Sequence, residues 1–257
     1  MLYFNWSGSM NIIKYKKLRD NRYKVILDNN IELTLYEDII LKYELLIKKS
    51  IDDKLLKKIK KDNEYYECYY YALKSINSRS KSKYDMKKLL LNKEYDNKYV
   101  IDVISLLEKQ GYLNDDSYAY SFINDKMITT NWGPYKIRGE LLKHKVDEEI
   151  INNNLEVFSS EEELIRIEKL VDKMIKSNKS TGGIVLKNKI KNNIINLGYD
   201  ISLINDVLDK TTISVDKDIV KKEYDKLYKR YSKKYKDKEL EYVIKNKLYQ
   251  KGLYYEE

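Results

Sequence analysis

Residues 137–151 read IRGELLKHKVDEEII, and the apolar positions of this stretch return three more times along the chain. With Val146 as position zero, the equivalent residues are Tyr95, Tyr199 and Leu253, at intervals of 51, 53 and 54 residues. Nine residues before them stand Met86, Ile137, Ile190 and Ile244, and five before stand Leu90, Leu141, Ile194 and Leu248. Leu91, Leu142, Ile195 and Tyr249 occupy the position four before. Offsets of four and five run along one face of a helix. Asp96, Asp147 and Asp200 follow position zero directly, where a short carboxylate accepts from the free N–H groups of a new helix. Tyr95, Val146 and Tyr199 then precede the cap. Val100, Ile151 and Ile204 lie one turn inside, the spacing of a hydrophobic staple. Ile104, Leu155 and Leu208 extend that face, and Gly111 after Lys109-Gln110 suits the left-handed residue that ends a helix.

Each copy also has an earlier helix. Tyr69, Ala72, Leu73 and Ile76 mark it in the first unit. Ala119, Phe122 and Ile123 follow Asn114-Asp115-Asp116 in the second, and Leu164, Ile167, Val171 and Met174 mark the third. Three helices in about fifty residues, repeated in tandem, predict a mainly α, elongated and curved array of stacked repeats. Upstream, Tyr23, Val25 and Leu27 alternate before Asp28-Asn29-Asn30, and Ile31, Leu33 and Leu35 alternate after it. Period two around an Asn-rich turn predicts a small N-terminal β-hairpin. Ile39, Ile40, Tyr43, Leu46 and Ile47 return to helical spacing, and Leu55, Leu56 and Ile59 predict another helix. The expected divisions are 1–9, an expression-tag remnant before a natural start at Met10; 10–62, hairpin plus helices; repeats at 63–113, 114–160 and 161–211; and a partial fourth repeat at 212–257.

The chain has 257 residues, with 50 Lys and Arg against 41 Asp and Glu, a net charge of +9. One Pro and eight Gly argue against a sandwich or barrel, which needs many turn residues. A single Cys, Cys68, excludes an internal disulfide or a Cys-cluster zinc site, and a single His, His144, argues against a His-built metal site or triad. No apolar run is long enough to span a membrane. The expectation is a basic, cytoplasmic, helical protein with no cofactor.

Tyr71-Ala72-Leu73-Lys74-Ser75-Ile76 with Ser78-Arg79-Ser80, then Gly111-Tyr112-Leu113-Asn114-Asp115-Asp116-Ser117-Tyr118-Ala119, and Gly133-Pro134-Tyr135-Lys136-Ile137-Arg138-Gly139-Glu140-Leu141-Leu142, resemble in order the RecX family of bacterial recombinase regulators. The likeness covers about residues 63–158 well and the third repeat to about 210 more loosely. The family often has Gly just before position zero; Gly198 and Gly252 fit, Glu94 and Lys145 do not, and residues 212–257 extend beyond the family's usual three repeats. The resemblance implies a bacterial cytoplasmic monomer with no chemistry of its own. It would bind the RecA–DNA filament groove, inhibit ATPase and strand exchange, and so modulate recombination and DNA repair. Single- or double-stranded DNA is a further candidate partner. The alternatives are a basic nucleic-acid-binding module and a helical scaffold for another protein.

Lys74–Lys93 carries a net charge of +6, including Arg79, Lys81, Lys83, Lys87 and Lys88. It reads either as a patch facing phosphates or an acidic wall, or as a solvated lysine-rich face. Lys217–Lys238 has ten basic and four acidic residues, interleaved by Tyr224, Tyr228, Tyr231 and Tyr235. Their helical spacing favours inward packing over a platform for stacked bases. In Trp132-Gly133-Pro134 the proline suits the first position of a helix, and Trp132 is a candidate partner anchor. Lys136, Arg138 and Lys143 on the following helix complete the candidate contact set.

Overall fold

The computed structural model describes residues 9–178, 180–215 and 217–253. Residues 1–8, nearly all of the segment read as a tag remnant, lie outside them. The chain forms two compact units, Met1–Tyr118 and Ala119–Glu257.

In the first unit the expected hairpin, β2 (Arg22–Leu27) and β3 (Glu32–Tyr36), is half of a four-stranded antiparallel sheet. Asn30 takes the left-handed conformation at its turn. Strands β1 (Ser9–Lys17) and β4 (Ser50–Asp52) complete the order β3-β2-β1-β4. Strand β1 escapes a period-two reading because its pairing with β2 shifts register between Ile12 and Lys14, and a bulge puts successive apolar residues out of phase. Ser9 and Met10 pair with Asp52 and Ile51. The predicted helix through Ile39–Ile47 is two short ones, α1 (Glu37–Lys42) and α2 (Leu45–Lys48), broken where Glu44 turns left-handed. Leu46 and Ile47 are consequently exposed rather than packed. The next two predicted helices are a single one, α3 (Asp53–Ser78). Its first half buries Leu56 and Ile59 against Val25, Leu27, Leu33 and Leu35 of the sheet. Its second half buries Cys68 and Ala72 against Met86, Leu90, Val100 and Leu107. These last come from α4 (Lys83–Asn92) and α5 (Asn97–Lys109).

Helix α6 (Asp115–Thr129) begins at Asn114, whose side chain accepts from the Asp116 and Ser117 N–H groups at 2.8 and 3.2 Å. The second unit continues with α7 (Pro134–Lys143), α8 (Glu148–Leu155), α9 (Ser160–Ser177), α10 (Gly183–Asn196), α11 (Ile201–Lys210), α12 (Lys217–Tyr231) and α13 (Asp237–Tyr249). The recurring positions have recurring roles. All four residues nine before position zero, and all four residues five before it, are buried. Asp96, Asp147 and Asp200 cap α5, α8 and α11, accepting from the N–H two residues on at 2.7–2.8 Å. Val100, Ile151 and Ile204 are fully buried behind those caps. The position four before zero lies at the edge of that face: Leu142 and Ile195 are half-buried, Ile195 against the core of its repeat, while Leu91 and Tyr249 are exposed. One residue past the buried position rotates a side chain by about 100°, to the margin of the core.

The residue just before position zero is left-handed in every copy, at Glu94, Lys145, Gly198 and Gly252. Its N–H donates to the carbonyl three residues back in each, which closes the second helix. Glycine is required in only two copies because of what lies opposite. The Gly133 N–H donates to the Leu197 carbonyl at 2.7 Å, and the Tyr135 N–H donates to the Gly198 carbonyl at 3.0 Å. The Gly182 N–H donates to the Lys251 carbonyl at 2.9 Å. The start of the second helix in one repeat thus bonds to the end of the second helix in the next. A Cβ on Gly133 would stand 2.5 Å from the Gly198 carbonyl oxygen, one on Gly198 would overlap the Lys136 backbone, and one on Gly252 the Gly182 carbonyl.

Truncating Leu90, Leu141 or Ile194 to Ala should cost about 2–5 kcal/mol in denaturant unfolding; a loss within about 0.5 kcal/mol would place the residue outside the core. Gly198→Ala should cost at least about 1–3 kcal/mol, since it adds a left-handed strain to a backbone overlap. Lys145→Gly should be neutral or stabilise by up to about 1 kcal/mol. Equal and opposite behaviour of the two sites would show that turn conformation, not the facing backbone, selects glycine.

Candidate partner-binding surface

In the first unit α3 ends at Ser78 and Arg79 runs extended into a short loop. Ser82 then caps α4, its buried hydroxyl accepting from the Asp85 N–H at 3.1 Å. The predicted basic residues separate into two groups here. Arg79, Lys87 and Lys88 are exposed and make no ion pair among the described residues. The Lys81 ammonium lies 3.5 Å from the Arg79 carbonyl. Lys83 faces inward: its ammonium pairs with Glu108 at 2.8 Å and reaches Asp115 at 4.0 Å, and its N–H donates to Asp115 at 2.8 Å. The hydrogen bond that the Lys83 ammonium donates to Glu108 raises the Lys83 pKa, so its charge stays on and serves the fold. Burial pushes the Asp115 carboxyl above the ordinary value, against the Lys83 N–H that opposes it.

In the second unit the backbone bonds of Gly133 and Tyr135 fix the segment that carries Trp132. Pro134 opens α7, as its ring geometry favours. The half-buried Trp132 ring has the Lys136 ammonium 4.8 Å from its centroid and the Lys126 ammonium 5.7 Å away. Lys126 also sits 5.1 Å from the Phe122 ring. The indole therefore holds two cations rather than offering a bare face, each held by roughly 0.5–1 kcal/mol. Lys126 was not foreseen: the turn between α6 and α7 brings it to Trp132, and sequence spacing does not show that. Arg138 pairs with Glu148 at 3.0 Å and Lys143 with Glu140 at 2.6 Å. Such exposed pairs contribute about 0–1 kcal/mol and yield readily to a stronger anion.

On α12 the expected inward packing holds for Tyr231, which lies half-buried with Tyr235 against Val220, Leu227, Leu240 and Ile244. It fails for Tyr224 and Tyr228, which are exposed with rings 6.3 Å apart and 20° from parallel. The same helix buries Glu223, whose carboxylate accepts from Lys251 at 2.7 Å and Lys226 at 3.3 Å. Those ammonium groups, Lys251 first, hold its pKa below the usual carboxylate value despite burial.

The single cysteine is buried and the single histidine half-buried. Cys68 is fully buried and its thiol is pushed up to about 12, which leaves it unreactive as a nucleophile. The His144 ring packs edge-on to Phe122 at 5.8 Å. A cleft of about 540 Å³ in the first unit is lined by Arg22, Tyr36, Tyr70, Tyr71, Lys74 and Tyr95, among others. Tyr36 and Tyr70 stack there at 4.6 Å, and the Tyr70 hydroxyl donates to Asp38 at 2.8 Å.

Residues 114–155 match the pattern of the second three-helix domain of RecX. The chain is 31% identical over 216 residues to regulatory protein RecX of Lactococcus lactis, covering 80% of this chain and 78% of that one. It is 24% identical over 249 residues to regulatory protein RecX of Oceanobacillus iheyensis, covering 93% and 92%. That match leaves 7% of this chain uncovered, fewer residues than 212–257 hold, so this relative shares most of the stretch read as an extension. A crystal structure of regulatory protein RecX superposes with a TM-score of 0.66 at 20% identity, over 78% of this chain and all of that one. RecX from Lactobacillus salivarius superposes at 0.55, over 58% and 97%. Both show the same fold.

The Glu223 cluster gives a pH test of the last repeat. Because its folded pKa is depressed, its contribution is present above about pH 4.3, the unfolded value, and is lost as pH falls through the folded value. Glu223→Gln should cost about 1–3 kcal/mol at neutral pH, and unfolding curves of the two proteins should converge below about pH 4. A difference independent of pH would remove the ion pairs as its source.

Proposed function

The chain belongs to the RecX family of regulatory proteins, and from that premise we propose that it binds the RecA–DNA filament along its helical groove and inhibits ATP turnover and strand exchange. It does so in the bacterial cytoplasm, as a monomer and by contact alone, and thereby modulates recombination and DNA repair. The observation that carries the reading is the repeat itself. A helical unit that recurs along the chain, with the second, third and fourth copies joined through the same backbone bonds, suits a partner that is also built of identical, regularly spaced subunits.

The contact set is Arg79, Lys81, Lys87 and Lys88 in the first unit, and Trp132, Lys136, Arg138 and Lys143 in the second. Unpaired cations speed encounter with a negatively charged filament and fix orientation. Lys136 and Lys126 on Trp132 add cations already held in place, which lowers the entropy lost on binding. The Arg138 and Lys143 pairs exchange their carboxylates for partner anions. Lys83 supports the surface from within through Glu108 and Asp115.

Substoichiometric protein should depress the DNA-dependent ATPase of RecA, and an unchanged rate at stoichiometric excess would sink the proposal. Lys87→Glu with Lys88→Glu should weaken filament binding at low salt with little change in stability, since both side chains are exposed. Filament affinity equal to wild type would return this face to plain solvation.

A further inference from the structure

Helix α12 turns Val220, Glu223 and Leu227 inward, yet leaves Tyr224 and Tyr228 39% and 48% exposed. At 3.6 residues per turn, Lys217, Lys221, Tyr224 and Tyr228 fall within a strip about 60° wide along the helix. Lys217 and Lys221 are exposed and unpaired among the described residues. Asp218 and Asp225 border the strip, and Lys222 and Lys229 lie beyond them in a stretch of net charge +6. The two rings are 20° from parallel with centroids 6.3 Å apart, so planar groups laid on them align with one another. Tyrosines serving only the core would sit where Tyr231 sits. A tyrosine pair left out of the core on a cationic helix calls for a ligand that is both anionic and flat-faced. A duplex hides its base faces in its stack, while an anionic bilayer or an acidic peptide supplies charge without planar rings.

We propose that the strip Lys217–Lys221–Tyr224–Tyr228 is a binding site for single-stranded nucleic acid, with bases stacked on the tyrosine rings and phosphates neutralised by the lysines. The site lies in the fourth repeat and goes beyond filament binding, since it needs no recombinase. Stacking on aromatic rings is tolerant of sequence, so no base preference is expected from it.

The test is fluorescence anisotropy of the full chain with a labelled oligothymidylate of about 16 nucleotides, without RecA, against a duplex of equal length and vesicles rich in anionic lipid. Tyr224→Ala with Tyr228→Ala should weaken oligothymidylate binding about tenfold or more, the loss of at least one stacked base. Tyr224→Phe with Tyr228→Phe should bind as wild type, because the ring faces remain. Lys217→Glu with Lys221→Glu should lower the slope of log affinity against log salt by about 1.4, two phosphate contacts at 0.7 each. Circular dichroism should show the tyrosine variants folded, as both side chains are exposed. Oligothymidylate binding by the alanine pair equal to wild type would overturn the site. Equal losses on single strand, duplex and vesicles would also overturn it, by reducing the strip to charge alone.

Discussion

The second unit depends on two places where backbone meets backbone with no side chain between: Gly133 against Gly198, and Gly182 against Gly252. Each joins the first turn of a helix, where N–H groups lack partners within the helix, to the last turn of the equivalent helix one repeat on. The bond satisfies both ends at once and sets the register between repeats. It also positions the candidate surface. Trp132 immediately precedes the bonded Gly133, and Lys136 follows on the first turn of α7, so the cation–aromatic cluster is held by the same contact. The fourth copy is joined to the third by the same bond, through Gly182 and Lys251, that joins the third to the second.

Much of this was legible in the chain. The caps at Asp96, Asp147 and Asp200 and the staples at Val100, Ile151 and Ile204 follow from short-range rules that act within one turn, and the structure has all of them. The buried positions five and nine before the reference residue follow from helical period alone. The position four before holds only in part, half-buried at Leu142 and Ile195 and exposed at Leu91 and Tyr249, because a period fitted to several copies does not say how wide the core-facing strip is at the helix ends. Strand β1 was missed because a bulge breaks its alternation. The break between α1 and α2 was missed because Glu44 adopts the left-handed conformation without a glycine to announce it.

The candidate surface was legible only as charge. Lys83 and Lys87 look alike in sequence, but one is tied to Glu108 and Asp115 while the other faces solvent, and only the fold separates them. Lys126 was invisible for the opposite reason, since its partner Trp132 lies across a turn. On α12 the tyrosine spacing was helical as expected, but four residues spread over two adjacent ridges cannot all face one core. The outer pair remains with the cations.

The proposed function is that of a regulator that fits a periodic partner through exposed charges. The most direct measurement of that claim is electron cryo-microscopy of a RecA filament on single-stranded DNA with the full chain added. The account predicts continuous density along the filament groove, with successive helical repeats against successive protomers and the α4 and α7 faces turned toward the filament. Filaments left bare at saturating protein, or density confined to filament ends, would contradict it.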